Sequence, residues 1–122
     1  QMFRRMVFNV IARNCDDHTK NFSFLLKQDG KWELAPAYDV CHAYRPGSEW
    51  VSQHALSING KRKDITRADL LVIGESIRCK KASEIVDEIN NTVNQWKIFA
   101  DEVKVHPTLR DEIAKTLLNL KK

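Results

Sequence analysis

The hydrophobic positions at the start of the chain recur at helical spacing. Met2, Phe3, Met6, Val7, Val10 and Ile11 form one apolar stripe, with Arg4, Arg5 and Asn9 off it. That pattern predicts a helix over residues 1–13 whose stripe packs into a core. Eight residues, Asn-Cys-Asp-Asp-His-Thr-Lys-Asn from Asn14 to Asn21, then break the pattern and are almost all polar. Strands are predicted next at Phe22–Leu26 and Lys31–Ala35, joined through Gln28-Asp29-Gly30. Composition and the Asp-Gly turn make this a hairpin. Pro36 stops it, and Ala37-Tyr38-Asp39-Val40 follows. Residues 41–53 read as irregular around Pro46-Gly47-Ser48, and His54–Asn59 as a short extended segment ending in an Asn59-Gly60 turn.

The second half is helical by the same criterion. Thr66-Arg67-Ala68-Asp69 resembles a capping box with Asp in place of Glu or Gln, ahead of Leu70, Leu71, Ile73 and Ile77. Ile85, Val86, Ile89, Val93, Trp96 and Phe99 make one face of a longer helix from about Ala82 to Val103. Pro107 fits the first turn of a last helix carrying Leu109, Ile113, Leu117 and Leu118. The expected fold class is mostly α with a small β-hairpin, an α+β lobe. The chain reads as a single domain, 1–122, with loop and hairpin in residues 1–60 and a helical bundle in residues 61–122.

Composition fits that picture. The chain's 122 residues, 43% hydrophobic and 30% charged, suffice for one domain and are too apolar for a disordered chain. No apolar run reaches the roughly 18–20 residues of a membrane span, and no secretory signal is evident, so a cytoplasmic protein is expected. Cys15, Cys41 and Cys79 are odd in number and lack any Cys-x2-Cys spacing, which suits free thiols in a reducing compartment. The net charge of +4 comes largely from Lys61-Arg62-Lys63, Lys80-Lys81 and Lys121-Lys122. Short, separated clusters read as solvated surface, with a patch for nucleic acid or an acidic partner as the second reading.

The chemistry concentrates in the polar break and just past the hairpin. Asp16 and Asn21 are five apart in a loop at the end of a helix, and the hairpin brings Asp39 back beside that loop. Phosphoryl transfer from a nucleotide uses this set of groups: a carboxylate to accept the hydroxyl proton, and an amide oxygen with a second carboxylate to hold Mg²⁺ against the phosphates. Asp-x4-Asn followed by a hairpin and an Asp is the spacing of a protein-kinase catalytic loop, and counting back five from Asn21 selects Asp16 over Asp17. On spacing alone, an Asp-rich loop that only caps a helix and binds water remains the alternative.

Three longer segments extend the match. Asn14–Ser23, Trp32–Val40 and His54–Lys61 (His-Ala-Leu-Ser-Ile-Asn-Gly-Lys) resemble the HipA family, the serine/threonine kinase toxins of bacterial type II toxin–antitoxin modules. The resemblance runs from the first helix to the last, and its Asp-Asp-His-x-Lys-Asn-x-Ser and Pro-x-Tyr-Asp runs are specific. It implies Asp16 as catalytic base, Asn21 and Asp39 as Mg²⁺ ligands, and ATP as phosphoryl donor. His18 and Lys20 would support the loop or meet the phosphates. It also implies a two-lobed kinase-like enzyme with a mostly helical C-terminal lobe, acting on a serine of a protein substrate, in the best-known member glutamyl-tRNA synthetase. A small DNA-binding antitoxin would bind and restrain the kinase, so that DNA is met only indirectly.

Departures qualify the resemblance. Asp39-Val40-Cys41 stands where a eukaryotic kinase has Asp-Phe-Gly. Gly30, Gly47, Gly60 and Gly74 are the only glycines, so no glycine-rich loop covers phosphates, and no strand lysine of the Val-Ala-Ile-Lys type precedes the loop. The chain is therefore expected to be the later part of the large lobe, without its N-terminal lobe and inactive alone. A non-catalytic helical module for an antitoxin or DNA is the competing reading. Cys15, His18, Cys41 and His42 are poorly spaced for zinc. His54 and His106 are expected at the surface or at helix caps, Trp32, Trp50 and Trp96 in core or rim, and Ser57 in a structural strand rather than facing a protein acceptor.

Overall fold

A computed structural model describes all 122 residues. Helix α1 spans Met2–Ile11 and buries Phe3, Val7, Val10 and Ile11. Asn9, expected off the stripe, is buried as well, because its Oδ1 accepts a 3.0 Å bond from Asn14 Nδ2. The helix also ends earlier than its apolar spacing predicts. Arg13 takes a left-handed φ of 59°, and Asn14 N–H bonds back to Asn9 C=O at 2.9 Å while Arg13 N–H reaches Val10 C=O at 3.4 Å. These are the two bonds of a Schellman termination, here without the usual glycine. The stop throws the polar loop sideways off the helix.

The hairpin pairs β1, Phe24–Leu26, with β2, Trp32–Leu34, antiparallel, with Leu25 opposite Glu33. Gly30 turns the chain at φ 79°. Both strands are shorter than predicted. Phe24, Leu25, Leu26 and Trp32 are exposed, so Trp32 and also Trp50 lie outside the core. Asn59 and Gly60 adopt left-handed conformations between the mutually bonded Ile58 and Lys61, a tight turn closed by a single bridge.

Helix α2, Arg67–Ser76, starts at the predicted capping box: Thr66 Oγ1 accepts from Asp69 N–H, and the Asp69 carboxylate accepts from Thr66 N–H at 2.8 Å. That carboxylate also takes Lys61 Nζ and Asn59 Nδ2, each at 2.9 Å. Lys61 first, then Thr66 N–H and Asn59, hold it well below the usual carboxylate range. One acidic side chain thus ties the 58–61 turn to the helix start, and it takes up part of the basic cluster.

Helix α3 spans Ala82–Val93 and α4 spans Trp96–Glu102. The single helix expected over 82–103 is therefore two. Asn94 Nδ2 donates to Asn90 C=O at 2.8 Å and to Leu118 C=O at 3.3 Å, and this side chain competes with the helical ladder. Beyond the break, α4 packs on α5, Pro107–Thr116, and Trp96 Nε1 bonds Arg110 C=O at 2.9 Å. Pro107 opens α5 as predicted, with His106 as its cap. The core joins α1, α2 and α3 with Ile58 and Ile65, drawing on both halves of the chain. No helix is long and apolar enough to cross a membrane.

At the tightest point of that packing, a Cβ on Gly74 would lie 2.5 Å from Ala82 Cβ and 3.2 Å from the Phe3 ring. Glycine-to-alanine in an open helix gains about 1 kcal/mol. Here Gly74→Ala is expected to lose roughly 1–3 kcal/mol through overpacking, read as a lower urea midpoint.

Candidate functional site

The Schellman turn delivers residues 13–17 between two other segments. Ala43 N–H donates to Arg13 C=O and Cys15 N–H to Ala43 C=O, both at 3.0 Å, while Ala55 N–H donates to Cys15 C=O at 3.1 Å. The loop's backbone is thereby pinned on both sides. A single 3-10 turn, Thr19–Asn21, then presents Asn21.

The second arm comes from the hairpin. Ala35 N–H closes it onto Ser23 C=O at 2.9 Å, and Arg5 Nη2 of α1 donates to Ala35 C=O. Past Pro36, Tyr38 O–H donates to Lys20 C=O at 2.9 Å. Asp39 follows in a left-handed conformation at φ 50°, which aspartate tolerates. Asn21 Nδ2 donates to Asp39 Oδ2 at 2.9 Å and to Asp16 C=O at 3.2 Å.

The five residues singled out in sequence occupy different settings. Asn21 and Asp39 are in direct contact and line a cavity of about 330 Å³ between α1, α3 and residues 37–40, whose apolar wall includes Phe8, Phe22 and Ile89. Asp16 joins them through its carbonyl, and its half-exposed carboxylate lies 3.6 Å from His18 Nε2. His18 has a buried Nδ1 without a hydrogen-bond partner. Lys20 is exposed and meets the group through its backbone.

No group of three or more His, Cys, Asp or Glu side chains is placed to hold a metal. One carboxylate and one amide make too sparse a donor set for an all-protein cage. They suit Mg²⁺, which keeps several waters and shares itself with phosphate oxygens. With Nδ2 of Asn21 engaged, its Oδ1 is the atom left to serve as ligand.

The neighbouring aspartate has a different setting. Asp17 is 3% exposed and His54 2% exposed, with His54 Nδ1 3.0 Å from Asp17 Oδ2. Asp17 Oδ1 accepts from Ala55 N–H at 2.8 Å and from Leu56 N–H at 3.4 Å. His54 is thus a buried ion-pair partner and not the surface or capping residue expected. Burial opposes its charge, but Asp17 and then Cys15 outweigh burial and raise its pKa to about 9. The Asp16-Asp17 doublet was the only sequence signal for this pair. His42, half-buried near Arg13, is shifted the other way, chiefly by burial.

A family model described as HipA-like C-terminal domain matches residues 1–96. No curated protein and no solved structure gives a match.

Proposed function

Because this chain belongs to the family of HipA-like C-terminal domains, we propose that it is the base-carrying, metal-holding lobe of an ATP- and Mg²⁺-dependent serine/threonine protein kinase. The observation that carries the reading is the 2.9 Å contact between Asn21 and Asp39, made across 18 residues by two loops that also include Asp16. Asn21 Oδ1 and the Asp39 carboxylate would hold Mg²⁺. When bound, the ion neutralises charge on the nucleotide phosphates.

The remaining work falls to the chain's own side chains. Asp16 accepts the proton of a substrate serine as its Oγ bonds to the γ-phosphorus, and the bond from that phosphorus to the β,γ-bridging oxygen breaks to release ADP. Half exposure leaves the Asp16 carboxylate within reach of a protein hydroxyl. His18 braces this carboxylate, and the exposed Lys20 ammonium meets phosphate oxygens. Free Cys15, Cys41 and Cys79 accord with the cytoplasm, where ATP is available. A small DNA-binding antitoxin is the proposed regulatory partner, as in the toxin–antitoxin modules that the sequence resembles.

The test uses a protein carrying this chain together with the nucleotide-covering lobe that the resemblance implies, called the two-lobed protein below. Label from γ-labelled ATP is expected to reach a protein serine only with Mg²⁺ present, and chelation is expected to stop it. Transfer indifferent to chelation, or no transfer to any seryl protein, would contradict the reading. The 122-residue chain alone is expected to bind ATP more weakly than micromolar.

A further inference from the structure

We propose that Asp17 and His54 are positioning residues for Asp16: their buried contact clamps the base-carrying loop to residues 54–56, and the clamp weakens when His54 gives up its proton and leaves Asp17 charged. The proposal rests on the reading of Asp16 as the base, but its geometry stands independently. Asp17 spends both carboxylate oxygens on one neighbouring segment, taking the His54 ring with Oδ2 and the Ala55 and Leu56 amides with Oδ1. Ala55 N–H is shared with Cys15 C=O, so the bonds on both sides of Asp16 reach the same short stretch.

That stretch is itself held. His54 N–H bonds Arg62 C=O at 2.8 Å, and Arg62 Nε returns to His54 C=O at 2.7 Å across the 58–61 turn. Asp69 anchors the turn through Lys61 and Asn59. A chain of bonds therefore runs from the start of α2 to the residue next to Asp16. The titratable groups bearing on the imidazole are Asp17 and Cys15 of the loop; Arg62 meets the backbone carbonyl of His54, not its ring.

Asp16 carries little of its own anchoring, since its side chain has only the 3.6 Å approach of His18. Apart from the bond its carbonyl accepts from Asn21, its placement is inherited from Asp17 through one peptide unit. Misplacing a reacting group by about 1 Å can cost a hundredfold in rate, so this is a demanding job for a neighbour.

The experiment is a pH titration of the 122-residue chain by NMR, following the His54 ring and the backbone amides from Asp16 to Asn21. The amides are expected to move with the same midpoint as the ring, well above that of a free imidazole. His54→Gln is expected to remove the shared transition, and Asp17→Asn to bring the ring midpoint down by at least one pH unit, on the order of a tenfold change in proton affinity. Loop amides that stay flat while the ring titrates would overturn the proposal, and so would a loop transition that survives His54→Gln. The wild-type comparison decides the matter even where a variant fails to fold. No nucleotide is present, so failure here would leave phosphoryl transfer by Asp16 standing, and failure of phosphoryl transfer would leave the clamp standing.

Discussion

Asp16→Asn in the two-lobed protein is expected to lower ATP-dependent phosphoryl transfer by roughly 10²–10⁴-fold, the usual worth of a positioned general base. Asparagine has the same shape but cannot take the serine proton. The substitution leaves the fold almost untouched. The contact that ties Asp16 to Asn21 runs through the backbone carbonyl, and the side chain is half exposed with only His18 near it. Stability is therefore expected to stay within about 0.5 kcal/mol of wild type. Nucleotide affinity is expected to hold too, because the proposed metal ligands are Asn21 and Asp39. The signature is a fall in kcat with an unchanged melting curve and unchanged KM for ATP. Retention of most of the wild-type rate would remove Asp16 from the mechanism.

One residue further on, the expected phenotype reverses. Asp17→Ala strands a buried His54 and the Leu56 amide, while the Ala55 amide keeps only its bond to Cys15 C=O. Breaking a buried pair from one side costs about 3–5 kcal/mol. That is a large part of the stability of a domain this size, and thermal unfolding is expected to move down by well over 10 °C.

The pair also gives stability a pH dependence whose sign follows from His54. Its folded pKa of about 9 lies above the ordinary 6.5, so protonation favours the folded state. The contribution is complete below about pH 6.5 and is lost as pH rises through about 9. Urea midpoints at pH 6 and pH 9.5 check this: wild type is expected to weaken across the interval, and His54→Gln to lose that component.

What the sequence disclosed and what it hid divide along physical lines. Local rules read well. Asp-Gly placed the hairpin, Thr66 with Asp69 placed the start of α2, and Pro107 placed α5, because each depends on residues three or four apart. The spacing of Asp16, Asn21 and Asp39 singled out residues that the fold brings into one neighbourhood, because a short hairpin cannot carry Asp39 far from the loop it left.

Nonlocal arrangements were hidden. Asp17 and His54 are 37 residues apart, and no period links them. The second aspartate of a doublet looks redundant until its partner is in place. The end of α1 was obscured because Arg13, not glycine, takes the left-handed position. The break at Asn94 was masked by Val93, Trp96 and Phe99, which keep helical spacing across it; the side-chain bond from Asn94 to Leu118 that fixes the break involves the far end of the chain. Trp32 was expected in core or rim, yet the two-stranded sheet leaves it exposed together with Phe24 and Leu26.

The central claim is that Asn21 and Asp39 hold the nucleotide's metal beside Asp16. Its most direct measurement is Mn²⁺ in place of Mg²⁺, added with a non-hydrolysable ATP analogue to the two-lobed protein, with paramagnetic broadening read residue by residue. The account predicts that Asn21 and Asp39 broaden first, Asp16 with them, and that Asp39→Asn weakens the Mn²⁺–nucleotide complex at least about tenfold, the lower end for loss of a charged ligand contact. Broadening centred away from these residues, or an Asp39→Asn protein that binds the complex as tightly as wild type, would contradict it.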